Sequence, residues 1–207
     1  ARTGVLYEAL RDPAFCGAVV AAIREGRVLT LNHGRLVGIP TSAAEILAGI
    51  DAGASLELPP GGRRHATALL GEQVVLKLIR EGRAGPCPEY ELARFLTEQG
   101  TFRNTPRLAG GLTLDADDAT QVLLLAFEHC RDQGDAWRFV SHHLDRFLDE
   151  ARLRPAAETR EALDELHGDS LALLAGLGRR LAELHLALAE GDAEFAPLAP
   201  EPGEAAS

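Results

Sequence analysis

At 207 residues, with 46% hydrophobic and 25% charged, the chain has the composition of an ordinary globular protein and enough length to bury a core. A formal net charge of −10 without any basic stripe argues against a nucleic-acid or anionic-membrane surface. The longest apolar runs, such as residues 122–127, fall far short of the roughly 20 residues that a bilayer span requires, and no charged-then-apolar signal opens the chain.

Apolar residues at Leu6, Leu10, Val19, Val20 and Ile23 predict a helical opening, interrupted at Asp12-Pro13 and ended by Gly26. Residues 28–31 and 36–39, joined across Asn32-His33-Gly34, read as a hairpin. Thr41 or Ser42 is expected to cap a short helix over residues 43–50. Gly53, Pro59, Pro60, Gly61 and Gly62 then mark a change of character. Residues 66–70 and 73–79 read as strands joined by a tight turn at Gly71-Glu72.

Pro88 stands at a helix start, where its missing N–H costs nothing, and Gly100 stops that helix after about Gln99. Residues 108–114 and 120–128 follow as strands around an acidic loop over residues 115–118. Residues 137–152 place Phe139, Val140, Leu144, Phe147 and Leu148 at helical spacing. Pro155 breaks that helix, and a second long one carries leucines from Leu163 to Leu188. Beyond Gly191 the chain is rich in Pro, Ala and Glu, a composition expected to stay disordered.

Cys16, Cys87 and Cys130 are odd in number and lack metal-ligand spacing, so three free thiols in a reducing cytoplasm are expected. No methionine occurs, at the first position or elsewhere, and the chain is expected to be a piece of a longer protein. Of the 21 basic residues, 20 are arginine and one, Lys77, is lysine. A chain that uses arginine almost everywhere keeps a single ammonium in the middle of an apolar strand. Snorkelling would let the stem pack on the sheet while the charge reaches water. The alternative is a compact point charge held in a cleft to grip phosphate.

Such a lysine needs a carboxylate, and the following helix supplies Glu89 and Glu91. One of them pairing Lys77 would reproduce the strand-lysine to helix-glutamate pair with which protein kinases hold ATP phosphates. Glu91, one turn before Phe95, borders the predicted apolar face and is the preferred partner over Glu89. Gly61-Gly62-Arg63-Arg64-His65-Ala66-Thr67 lies where a phosphate-covering loop would sit, with the Thr67 hydroxyl as a contact. Phe127, Glu128 and His129 end an apolar strand that in a bilobal kinase leads into the adenine-binding hinge. His167-Gly168-Asp169 looks like the catalytic signature of small-molecule kinases, yet it falls inside a predicted helix and reads as helix surface. His185, on the same helix, reads as a packed or capping residue.

Together these segments resemble the maltokinase family, in particular the maltokinase part of bacterial trehalose synthase–maltokinase fusions. The matching stretches are Arg11-Asp12-Pro13-Ala14-Phe15, Val75-Leu76-Lys77-Leu78-Ile79-Arg80, Glu91 with Arg94-Phe95-Leu96-Thr97-Glu98, Phe102-Arg103-Asn104-Thr105-Pro106-Arg107-Leu108-Ala109-Gly110, Gln133-Gly134-Asp135-Ala136-Trp137 and Leu177-Gly178-Arg179-Arg180-Leu181-Ala182-Glu183-Leu184-His185-Leu186-Ala187-Leu188. The stretch before the lysine strand departs from the family pattern, keeping little beyond Thr67.

The resemblance implies an α+β fold: a protein-kinase-like N-lobe of antiparallel sheet plus helix, with an N-terminal α/β cap and a following helical segment. The implied organisation is a cap over 1–58, an N-lobe over 59–132, helices beginning the C-lobe over 133–190, and a disordered tail over 191–207. It implies ATP-dependent phosphorylation of maltose to maltose 1-phosphate, with ATP and Mg²⁺ as cofactors of the full-length parent. Lys77, Glu91, Thr67, Phe127, Glu128 and His129 are the implied ATP-binding residues. The catalytic and metal-binding aspartates belong to a C-terminal lobe expected beyond this chain, so the chain alone is expected to be inactive. Alternatives are a related glucosamine or other sugar kinase, and a non-catalytic domain docking a trehalose synthase.

Overall fold

A computed structural model describes residue 4 and residues 7–51, 53–59, 65–81, 84–116, 119–132, 134–153 and 156–191, without the side chains of 156–166 and 169. The predicted loop residues Gly61 to Arg64, Asp117-Asp118, Gln133, Pro155 and the tail from 192 lie outside the described residues.

The described residues form an α+β fold. Seven strands make one antiparallel sheet in the order β1-β2-β6-β7-β5-β4-β3. They are β1 Val28–Thr30, β2 Arg35–Pro40, β3 Leu56–Glu57, β4 His65–Leu70, β5 Val74–Ile79, β6 Leu108–Ala116 and β7 Ala119–Glu128. Four α-helices accompany it: α1 Pro13–Arg24, α2 Pro88–Glu98, α3 Ala136–Leu153 and α4 Ala156–Ala189. The two-residue edge strand β3 has too little sequence to show a period. The chain divides into two compact units, Ala1–Cys130 and Arg131–Ser207.

In the first unit, α1 begins where Asp12 caps it, accepting from Ala14 N at 2.9 Å and Phe15 N at 3.4 Å, with Pro13 in the first turn. Its buried stripe of Cys16, Val19, Val20 and Ile23 joins Ala66, Ala68, Val74, Leu76, Leu124 and Ala126 in one core. Two glycines let α1 come this close. A Cβ at Gly38 would strike the Ala22 carbonyl, and one at Gly110 would strike the Ile23 side chain. Burial pushes the Cys16 thiol up to about 11, and its Sγ lies 3.5 Å from Leu10 O.

The predicted helix over 43–50 is a shorter 3-10 turn, Ala44–Leu47. Neither Thr41 nor Ser42 caps it: Ala43 stands at the N-cap without a side-chain bond, and Thr41 Oγ1 instead accepts from Ala43 N at 3.2 Å and donates to Leu108 O, fastening the segment to β6. Gly49, with φ of 84°, ends the turn, and Leu47 and Ile50 drop into the core.

Between β4 and β5, Gly71 and Glu72 both take left-handed φ, 57° and 55°, and Gln73 N closes on Leu70 O at 3.0 Å. That is the turn a twisted hairpin favours. Strand alternation then sorts side chains onto two faces. Ala66, Ala68, Leu70, Val74 and Leu76 face α1, while His65, Thr67, Leu69, Val75, Lys77 and Ile79 take the opposite face. On that second face Tyr90 and Ala93 of α2 pack with Leu108, Val122, Leu125, Ile79 and Phe127.

In the second unit, α3 buries none of its residues, and Trp137, Phe139, Leu144 and Leu148 are all exposed. Leu173, Leu174, Leu177 and Leu181 of α4 are exposed too. The two helices meet where His143 Nε2 lies 2.7 Å from His167 Nδ1, with the Phe147 ring 4.4 Å from that of His167. No helix among the described residues is long and apolar enough to cross a membrane.

Candidate functional site: a lysine–glutamate pair between the sheet and its helix

The pairing register sets the site. In antiparallel strands, directly opposed residues project from the same side. Thr67 and Leu125 flank Lys77 from either neighbouring strand, Leu69 and Phe127 flank Val75, and His65 sits opposite Ile79. One face therefore carries, in order along β5, an apolar patch at Val75, a cation at Lys77, and His65 beside Ile79.

Lys77 is neither snorkelled into water nor sealed off. Its side chain is 23% exposed, and Nζ lies 2.5 Å from Glu89 Oε1. That is a charge-assisted contact, stronger than a neutral hydrogen bond. The expected partner, Glu91, is engaged elsewhere: its Oε1 accepts from Cys87 N at 3.1 Å and closes the helix start. The roll of α2 decides between them. The helix meets the sheet through Tyr90 and Ala93, and Thr97 Oγ1 accepts from Leu108 N at 2.9 Å, with Phe95 and Leu96 buried as well. Glu89, one turn before Ala93, borders that contact face; Glu91 points some 200° away around the helix. Burial raises the Tyr90 hydroxyl above its ordinary range.

Thr67 is half-buried beside Lys77. Phe127 is half-buried on the same face, next to Val75. The two residues after it are tied into the protein. Glu128 N donates to Arg107 O at 2.9 Å, and its carboxylate is gripped by Arg107 through Nε at 2.9 Å and Nη2 at 3.2 Å. The same guanidinium reaches Glu45 at 2.8 Å through Nη1. Arg107 holds the Glu128 carboxyl below its ordinary range, and the two carboxylates push the Arg107 guanidinium further up. His129 N donates to Gln73 O at 2.8 Å, and its Nδ1 lies 3.0 Å from Glu72 O. Both main-chain amides that a hinge would offer to a base are thus committed to protein oxygens.

His167-Gly168-Asp169 is wound into the middle of α4, as its sequence setting predicts. His185 stands exposed on the same helix. Among the described residues no group of three or more His, Cys, Asp or Glu side chains could hold a metal ion.

No family model and no curated protein matches this chain. A solved glucosamine kinase is similar to it at low identity. The match has 22% identity and a TM-score of 0.41, and it covers 78% of this chain and 41% of that kinase. The chain therefore spans about two fifths of that kinase's length. At that identity and score the likeness decides neither activity nor substrate.

Two features of the site have no sequence signal of their own. The Arg107–Glu128–Glu45 cluster joins residues 21 and 62 positions apart. The other is the first residue of β4: His65 Nδ1 is buried and has no hydrogen-bond partner among the described residues.

Proposed function

We propose that this chain is the nucleotide-gripping portion of an ATP-dependent sugar kinase. The observation that carries this reading is the Lys77–Glu89 ion pair, a strand cation steered by a helix carboxylate beside an apolar patch. On this reading the base lies against Val75, Leu69 and Phe127. Lys77 and Thr67 then meet the phosphates one residue pair further along the strands, about 7 Å away. Glu89 aims the ammonium and keeps it from collapsing onto another carboxylate. Bound ATP supplies the γ-phosphoryl group for transfer; the chain's share is orientation and charge neutralisation. Mg²⁺ enters as the nucleotide's own counter-ion. With Glu128 and His129 amides engaged, the base gains its affinity here from stacking and shape more than from those two donors.

Residues 1–58 act as a cap and 133–190 begin a second lobe in this reading, and three free thiols suit a cytoplasmic enzyme. The acceptor proposed is a sugar, with maltose drawn from the sequence resemblance and glucosamine as its rival. A coupled assay of the intact parent protein with each sugar separates them. The isolated chain is proposed to transfer phosphate to neither, because its His-Gly-Asp is helical and no catalytic loop forms there.

Calorimetric titration with ATP–Mg²⁺ tests the reading. Replacing a phosphate-binding ammonium removes a charge-assisted bond of about 1.5–3 kcal/mol, so Lys77→Ala is expected to weaken binding by about ten- to a hundredfold. Glu89→Gln is expected to weaken it less, since it frees the ammonium without removing it. Equal affinity of wild type and Lys77→Ala would sink the proposal.

A further inference from the structure

We infer that His65 is an additional phosphate-binding side chain of this site, its buried Nδ1 donating a hydrogen bond to an outer phosphate oxygen of a bound nucleoside triphosphate. The inference rests on the nucleotide reading above and extends it to a residue that the lysine–glutamate logic does not require.

Three observations meet at this residue. First, register: His65 lies two residues before Thr67 on β4 and pairs with Ile79, so its side chain shares the face of Thr67 and Lys77. Second, order: Val75, Lys77 and His65 follow one another along the same direction, apolar patch first. A triphosphate whose base lies on Val75 and whose inner phosphates meet Lys77 would extend toward His65. Third, an unmet need: Nδ1 is shielded from solvent and has no partner among the described residues. Leaving a buried polar atom unsatisfied costs about 1–3 kcal/mol, a cost that a hydrogen-bonding ligand would remove.

The occupant must accept a hydrogen bond from an imidazole N–H or donate to its lone pair. On a face that also carries a threonine hydroxyl and an ammonium, a phosphate oxygen meets the requirement, and the tautomer with hydrogen on Nδ1 serves it. No covalent step is involved.

The test uses the full chain, with ATP–Mg²⁺ as probe and ADP–Mg²⁺ alongside it. Wild type, Lys77→Ala, His65→Phe and His65→Asn are compared by titration and by thermal midpoint without ligand. His65→Phe is expected to bind ATP about tenfold more weakly, to bind ADP with a smaller loss, and to melt no lower than wild type. His65→Asn, whose amide nitrogen reaches the position of Nδ1, is expected to recover most of the ATP affinity.

Loss in Lys77→Ala with full affinity in His65→Phe overturns the inference and leaves the nucleotide reading standing. Undiminished affinity in Lys77→Ala, or no binding by wild type, overturns the reading and this inference with it. If His65→Phe loses both midpoint and affinity, His65→Asn decides: recovered affinity supports the phosphate contact, and none assigns His65 to packing alone.

Discussion

Arg107 shows how one side chain can lock separate stretches of this protein. It binds Glu128 at the end of β7 and Glu45 in the 3-10 turn before β3, so a strand end and a turn share the cation that precedes β6. Each partner is more than a third exposed, and water screens the pairs, so Arg107→Ala is expected to cost only about 1 kcal/mol. Its pH dependence has a definite sign. Glu128 is held below its ordinary 4.5 in the folded state, so its contribution is present above that value and fades as pH falls through the lowered one. The midpoint gap between wild type and Arg107→Ala should therefore be constant near pH 7 and shrink below about 4.5. A gap that widens in acid would reverse the assignment. Lys77 was legible at this scale because its rarity could be counted. Arg107 was not, being one arginine among 20, with partners that only the folded topology brings near.

Elements were easier to read than the way they meet. Period-2 alternation, the Gly71-Glu72 turn, the Asp12-Pro13 interruption and Gly100 each act over a few neighbouring residues, and the structure places β4, β5, α1 and α2 where those signals put them. The roll of α2 is a different matter. Tyr90, Ala93, Phe95 and Leu96 are all buried or half-buried, so the apolar pattern alone does not set the roll, and the packed helix presents Glu89 rather than Glu91 to Lys77. Two glycines similarly hide a packing requirement inside ordinary strand sequence. Gly38→Ala would press a methyl group into the Ala22 carbonyl of α1. Overpacking of this kind costs about 1–3 kcal/mol, read as a lower denaturation midpoint with an unchanged denaturant slope. A neutral Gly38→Ala would mean that α1 does not lie so tightly on β2.

At the scale of the whole molecule the two units are built differently. The first has a sheet with a core on each face, one under α1 and one under α2. The second relies on two helices that leave Trp137, Leu144, Leu148, Leu174 and Leu177 exposed. A pair of helices has one shared seam, and amphipathic stripes wider than that seam find no second surface. Helical stability comes mainly from such packing, and exposed stripes contribute little of it. Sequence periodicity predicted α3 and α4 as helices but could not tell a stripe that is buried from one that is not, because the pattern is the same in both. Native-state hydrogen exchange should separate the units. Amides of β5 and β7 are expected to exchange only through global unfolding, while those of α3 open locally with protection at least about tenfold lower. Equal protection in α3 and β7 would show the leucine stripes to be covered in solution. It would also remove the physical basis for treating residues 131–191 as the less stable unit.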